Sequence, residues 1–368
     1  MLTFPLVIQA RHEDSCIMYG METFRGANSL IDSVAQKYES YFCLDYTAYD
    51  KTLPWVIVDL FFEEFLPSLI IINKGYQPTY EYQTHDFETD KFYKKIKNLL
   101  TFLHKWYKNM IFLSQDGYAY KRTNAGVPSG LFLTQYLDSF GNIVLLYDAL
   151  IEQELSDSEI LDIMLYILGD DITGMTHMSI NKIFIIISKC IDYLERRWNV
   201  EISHIKTILT SLRGKIKTLS YECNFGLPKK DIHKLLAQFC YPERHFKPQY
   251  QAYRAIGFAY AACGQNTIFH KFCEEVYKEF KDDMADINDE KIRNYIPGQF
   301  SYLEDNFDKK IFEKFPTILD ILDQISTYHG PLSFTPRWRD SHFINNPDHE
   351  YDDYITISEY EKRNGKGE

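Results

Sequence analysis

The chain has 368 residues, of which 45% are hydrophobic and 16% aromatic, with only 17 Gly and 13 Pro. This composition excludes a disordered or fibrous chain, and at roughly 150 residues per domain the length allows two or three lobes around a sizeable core. A formal net charge of -12, from 40 Lys+Arg against 52 Asp+Glu, excludes a general nucleic-acid sponge. A local basic channel stays open.

The longest apolar runs, such as Trp55 to Leu60 and Ile183 to Ile187, end in charge well before the ~18 residues that a membrane-spanning helix needs. The N-terminus, Met1-Leu2-Thr3-Phe4-Pro5-Leu6-Val7-Ile8, has no basic n-region and no sustained apolar h-region. No membrane anchor and no secretory signal are therefore expected, and a reducing, cytoplasmic compartment follows. The cysteines, Cys16, Cys43, Cys190, Cys223, Cys240, Cys263 and Cys273, are scattered singly with no Cys-x-x-Cys pair. They read as free, mostly buried thiols.

In chain order, a buried strand around Tyr41 to Leu44 ends at Asp45, and an amphipathic helix follows from Thr52 to Leu66. The stretch from Asn73 to Asp90 is polar and turn-rich, and helical spacing resumes from Lys91 to Met110. Ile111 to Leu113 and Tyr118 to Tyr120 flank Ser114-Gln115-Asp116-Gly117, the Asp-Gly signature of a hairpin. The loop Gly126-Val127-Pro128-Ser129-Gly130 then precedes a long helix spaced from Phe132 to Leu150. Ile163 to Leu168 is a strongly apolar strand, interrupted by Gly169-Asp170-Asp171 and resumed by Ile172 to Met175, which makes a hairpin with two carboxylates at its tip. Asn181 to Asn199 is helical, a strand pair spans Lys217 to Cys223 and Phe225 to Pro228, and a helical, acidic region runs from Asp231 onward. The residues after Tyr360 are expected to fray. No internal repeat is visible.

Two apolar strands far apart in the chain thus end in aspartate, at Asp45 and at Asp170-Asp171. Carboxylates at neighbouring strand ends hold divalent cations a few Å apart, the arrangement that clamps the attacking and leaving oxygens of phosphoryl transfer, and all-oxygen ligation favours Mg²⁺ or Mn²⁺. An isolated Gly-Asp-Asp is more often a solvated turn. After a buried strand, however, two adjacent acids repel each other unless a cation is present.

Taken in order, Asp45-x4-Asp50, then Gly126-Val127-Pro128-Ser129-Gly130-x3-Thr134-x3-Asp138-x3-Asn142, then Gly169-Asp170-Asp171, resembles motifs A, B and C of viral RNA-dependent RNA polymerases. The wording of the second segment, with Tyr19 to Ala27 upstream and Leu219 to Lys230 downstream, looks like the partitivirus and picobirnavirus branch, whose genomes are double-stranded RNA. The resemblance covers roughly residues 1–262.

The resemblance implies an α+β, right-hand polymerase fold with an antiparallel-sheet palm of RRM-like type. Partial fingers would occupy residues 1–35, palm 36–65, a fingers insertion 66–121, palm 122–228, and a helical thumb with the C-terminal region 229–368. It implies template-directed RNA synthesis with two Mg²⁺ ions, Mn²⁺ substituting, held by Asp45, Asp170 and Asp171. Asp50, Ser129, Gly130, Thr134, Asp138 and Asn142 would face the incoming nucleotide, where the 2′-hydroxyl separates RNA from DNA substrates. Many positive-strand polymerases carry Asn where this chain has Asp138. Lys206 falls where motif D places a proton donor for the leaving pyrophosphate. Leu219 to Pro228 would support the primer terminus, with Lys229 and Lys230 near backbone phosphate.

The implied partners are an RNA template and nascent strand, NTPs and a viral capsid protein, in the virion interior and host cytoplasm. No basic motif F equivalent is found ahead of Phe4, so a partial chain is expected, and Arg11, Arg25, Lys121 and Arg122 are the candidates to meet a triphosphate. A different two-metal enzyme, such as a nuclease or cyclase, would need the acids but not the Ser129-Gly130 loop and Asp138. A structural protein would need none of them. Reverse transcriptases share the palm but usually place a Tyr-x pair before the first acid, where this chain has Gly169.

Overall fold

The computed structural model describes residues 2–12, 14–73, 88–131, 133–242, 247–286, 312–330 and 354–365. Most of the polar stretch from Asn73 to Asp90 lies outside them. The strands are β1 (Ser40–Leu44), β2 (Ile111–Leu113), β3 (Ala119–Lys121), β4 (Met164–Leu168), β5 (Asp171–Thr176), β6 (Ile208–Thr210), β7 (Lys217–Thr218) and β8 (Tyr221–Glu222). The helices begin with α1 (Phe4–Gln9), α2 (Ala27–Ala35), α3 (Tyr49–Thr52), α4 (Trp55–Leu60), α5 (Leu66–Leu69) and α6 (Thr89–Asn109). They continue with α7 (Thr134–Glu152), α8 (Asp157–Leu161), α9 (Ile180–Trp198), α10 (Ile232–Cys240), α11 (Gln251–Ala261) and α12 (Thr267–Phe280), and end with Ile318–Ser326 and Ile357–Asn364.

The organising element is an antiparallel four-stranded sheet in the order β4-β5-β1-β6. Every residue of β1 is buried, as a central strand covered on both faces must be. Side chains alternate between those faces. Phe42, Leu44, Leu165, Ile167 and Ile172 join α7 and α9 in one core through Leu145, Leu146, Ile187 and Leu194. On the opposite face Tyr41, Cys43, Tyr166 and Met175 meet Ile31 and Ala35 of α2 and Ile216 and Cys223 around the β7-β8 hairpin. A separate core of Tyr253, Ile256, Phe269, Cys273, Ile321 and Ile325 holds α11 and α12 to the helix Ile318–Ser326. All seven cysteines are free and five of them are buried, as the sequence suggested.

Local chemistry corrects three of the expected elements. The helix foreseen from Thr52 starts only at Trp55, because Pro54 holds an extended backbone ahead of it, and it passes through a π-turn at Phe61–Phe65 before Pro67 opens α5. The strand expected at Phe225 to Pro228 is a 3-10 turn, Asn224–Gly226, and the hairpin is confined to β7 and β8. The C-terminal segment is not frayed at Tyr360. The helix Ile357–Asn364 carries a Thr356/Glu359 capping box, and its buried Glu361 accepts from Tyr93 at 2.9 Å and pairs with Lys97 of α6 at 2.6 Å. The chain end is thereby docked against α6, distant in sequence.

Arg25 likewise has a structural place. Its Nε and Nη2 donate to the carbonyls of Gly330 and His329, at 2.9 and 2.8 Å, just past the helix Ile318–Ser326.

Gly174 of β5 faces the ring of fully buried Phe42 so closely that an added Cβ would fall on the ring. Gly174→Ala is therefore expected to destabilise the fold by roughly 1–3 kcal/mol, read as a lower denaturation midpoint. Adding Phe42→Leu should recover part of the loss, and additive effects of the two changes would show that the contact is not the cause.

Candidate active site

Asp45 lies one residue beyond the paired Leu44 and Ile172, and Asp171 occupies the equivalent step on β5. The β4-β5 turn is closed by Leu168 pairing with Asp171, which leaves Gly169 and Asp170 at its tip. The sheet therefore delivers Asp45, Asp170 and Asp171 to one edge. Their surroundings differ. Asp45 Oδ1 accepts from Lys206 Nζ at 2.8 Å, an exposed pair. Asp171 Oδ2 accepts from the Leu219 backbone N–H at 2.6 Å. Despite that bond, burial first, and then the charges of Asp170 and Asp45, push the Asp171 carboxyl up to about 6. Burial, with Asp45 and Asp50 adding to it, also raises Asp170 above the ordinary carboxylate range.

Leu219 and Ser220 reach this position through a tight turn between β7 and β8 in which both take positive φ, 50° and 68°. Neither is glycine, so the turn is strained where its N–H meets a candidate ligand. Lys230, expected near phosphate, instead lies over the Tyr221 ring at 4.6 Å, and burial lowers its pKa.

The acidic turn is held from beneath by α7. Ser139 Oγ accepts from Gly169 N at 2.8 Å, and Asn142 Nδ2, one helical turn on, donates to Gly169 O at 3.1 Å. Tyr46 OH donates to Asn142 Oδ1 at 3.0 Å, and Tyr49 OH donates to the Asp138 carbonyl at 3.0 Å. Asn142, expected on the substrate side, is fully buried in this scaffold. Ser139, Tyr46 and Tyr49 are positioning residues that the sequence reading missed. Their only signal was spacing: Ser139 and Asn142 fall three apart on one helix face.

The loop before α7 lies against α3. Its first part is buried: Gly126 N donates to Leu53 O at 2.8 Å and Val127 N to Asp50 O at 2.7 Å. Thr134 is also turned inward, its Oγ1 donating to Pro128 O at 2.5 Å. Ser129 and Gly130 remain exposed, and Ser129 Oγ donates to Asp50 Oδ2 at 3.3 Å. Asp50, Ser129 and Asp138 thus border the Asp45-Asp170-Asp171 edge, whereas Thr134 and Asn142 belong to its support.

The donor set fits a hard divalent cation. All the groups are oxygens, and the charge on them exceeds what Lys206 offsets. Among the described residues a tighter potential ligand group, with atoms within 4.8 Å of one another, is Asp59, Glu63 and His104. Asp45, Asp170 and Asp171 stand wider apart than that. Lys108 Nζ and His104 Nε2 both reach Asp59 Oδ1 at 2.6 Å, and their hydrogen bonds hold the Asp59 carboxyl below its usual value although burial opposes them. That cluster is internally compensated and fastens α6 to α4.

Asp138 is 9% exposed, its Oδ1 has no hydrogen-bond partner among the described residues, and burial followed by the charges of Asp170 and Asp50 raises its carboxyl to about 7. The folded state therefore keeps a proton that the unfolded chain releases near its ordinary value of 3.8. Stability contributed by this group falls as pH rises from about 4 to about 7. Asp138→Asn should remove that slope. In chelator-treated protein the variant should match wild type near pH 4 and exceed it at pH 8 by on the order of 1–3 kcal/mol; parallel denaturation midpoints across that range would refute the assignment.

Comparison with known proteins identifies the family. Residues 4–221 match the family model described as viral RNA-dependent RNA polymerase. The chain is 35% identical to the RNA-directed RNA polymerase of Atkinsonella hypoxylon virus (isolate 2H), over 91% of this chain and 54% of that protein. It is 29% identical to the RNA-directed RNA polymerase of White clover cryptic virus 1 (isolate Boccardo/2004), over 72% of this chain and 44% of that one. The chain thus spans about half the length of the curated relatives it matches. The solved Sicinivirus 3Dpol RNA dependent RNA polymerase aligns with a TM-score of 0.52 at 15% identity, over 84% of this chain and 56% of that one, which shows a shared polymerase fold. With a family match across more than half of its residues, the chain belongs to the viral RNA-dependent RNA polymerases.

Proposed function

We propose that this chain carries the catalytic centre of a polymerase that extends RNA on an RNA template, in replication and transcription of a double-stranded RNA genome. The observation that supports this most is the arrival of Asp45, Asp170 and Asp171 at one sheet edge beside Asp50, Ser129 and Asp138. A nuclease or cyclase needs the first set but has no use for the second. The sheet and its loops, residues 36–65 and 122–228, serve as the palm, residues 1–35 and 66–121 as fingers, and the helical core after residue 229 as thumb.

In this reading Asp45, Asp170 and Asp171 would hold two Mg²⁺ ions, or Mn²⁺ in their place, which would supply activation of the primer 3′-hydroxyl and charge neutralisation at the triphosphate. The chain's own residues do the rest. α7 fixes the acidic turn through Ser139 and Asn142, so the ligands are aimed before substrate arrives. Asp50 and Ser129, already hydrogen-bonded to each other, present polar atoms to the ribose, and Asp138 lines the same side. Lys206, held at Asp45, is the proton donor for the leaving pyrophosphate.

RNA template, nascent strand and NTPs are the partners, with a capsid protein as a further one, in the virion interior and host cytoplasm. No helix among the described residues is long and apolar enough to cross a membrane.

Primer extension on an RNA template with Mg²⁺ tests the reading. Asp170→Ala and Asp45→Ala should reduce ribonucleotide incorporation to background while the thermal midpoint stays close to that of wild type, because neither change removes a packing contact and the Lys206 pair lost with Asp45 is exposed. Incorporation by either variant at the wild-type rate would overturn the proposal.

A further inference from the structure

The exposed Ser129-Gly130 tip is carried by a backbone whose position is set at one peptide. Gly126 takes φ +86°, and an added Cβ would meet the Lys51 carbonyl oxygen at 2.9 Å and that of Asp50 at 3.0 Å, so only glycine lets the loop lie this close to α3. The Gly126 carbonyl is gripped from the other side. Arg122 Nη1 donates to it at 2.5 Å and Trp55 Nε1 at 3.1 Å.

Arg122 also spans to α6. Its Nη2 donates to the Tyr107 carbonyl at 2.6 Å, and its guanidinium lies 5.1 Å from the Phe112 ring centroid and 5.9 Å from that of Tyr107. Tyr107 in turn places its hydroxyl 3.3 Å from Thr134 Oγ1, the group that holds Pro128. Both ends of the loop are therefore tied to the last turn of α6, and one planar fork bridges two carbonyls in a way that a lysine ammonium does not reproduce. With both terminal nitrogens on backbone carbonyls, Arg122 is not placed to meet a triphosphate.

We propose that Arg122 is a positioning residue for sugar selection: by holding the Gly126 and Tyr107 carbonyls it fixes Ser129 against Asp50 and so sets the preference for ribonucleotides. The inference rests on the polymerase reading. It makes α6 and the β2-β3 hairpin, which lie outside the acidic edge, a determinant of substrate choice.

The test measures kcat/KM for an NTP and the matching dNTP, in single-nucleotide primer extension with Mn²⁺. Arg122→Ala should lower the NTP:dNTP ratio roughly tenfold, the loss expected for charge-assisted hydrogen bonds. The change should fall mainly on KM for the ribonucleotide. Arg122→Lys should recover only part of the ratio, and Trp55→Phe, which removes one donor to the same carbonyl and leaves a smaller aromatic ring in place, should shift it in the same direction by less. Leu113→Ala, on the exposed hairpin strand, should leave it unchanged.

A wild-type ratio in Arg122→Lys and Trp55→Phe would overturn the inference even if Arg122→Ala failed to fold, as would a fall in NTP and dNTP turnover by the same factor. Failure of the polymerase reading itself shows separately, as equal incorporation by wild type and Asp170→Ala.

Discussion

Like charges gathered at one sheet edge oppose folding, and the architecture around Asp45, Asp170 and Asp171 is arranged to hold them there regardless. Two of the three are pushed toward protonation by burial and by each other, and the third is matched by an exposed lysine. The restoring force comes from apolar burial on both faces of the β4-β5-β1-β6 sheet. Without a central strand buried along its whole length, the carboxylates could splay apart and relieve their repulsion. The strained Leu219-Ser220 turn adds a backbone N–H for Asp171, so even the support hairpin answers to the same charge.

Helix α7 links this acidic edge to the loop that precedes it. Ser139 and Asn142 satisfy both polar atoms of Gly169, while Thr134, on the first turn, secures Pro128. Gly141 eases the approach: an added Cβ would lie 2.7 Å from Leu53 Cδ1, so a larger residue there would make the Leu53 side chain shift where α7 meets the segment that carries Tyr49. A displacement of α7 would move the acidic turn and the loop together. The π-turn at Phe61–Phe65 and the aromatic cluster of Phe61, Phe65 and Phe140 brace α7 from the side of α4, and α6 is fastened to that brace by Asp59, His104 and Lys108.

The acidic hairpin, the long helix α7 and the order of the three motifs were legible in the sequence because each rests on local pattern: an apolar strand, a 3.6-residue spacing, a glycine turn. The roles of Thr134 and Asn142 were not. Motif spacing places a residue on a helix but does not say which way its side chain turns, and here both point inward to hold backbone carbonyls. Tyr46 and Tyr49 read as ordinary aromatic residues, since their hydroxyls matter only through partners about ninety residues away in α7. The docked C-terminal helix was misread for a similar reason. Its local composition is polar, with Ile357 the residue it buries fully, and what holds it is the long-range pairing of Glu361 with Tyr93 and Lys97.

The central claim is that the sheet edge, and not the more compact Asp59-Glu63-His104 group, is where a divalent cation binds. Titration with Mn²⁺ followed by electron paramagnetic resonance, in wild type and in Asp45→Asn, Asp170→Asn and Asp59→Asn proteins, tests it directly. The account predicts that wild type and Asp59→Asn bind Mn²⁺ alike, while Asp45→Asn and Asp170→Asn each weaken binding. Loss of binding in Asp59→Asn with unchanged affinity in the other two would contradict it.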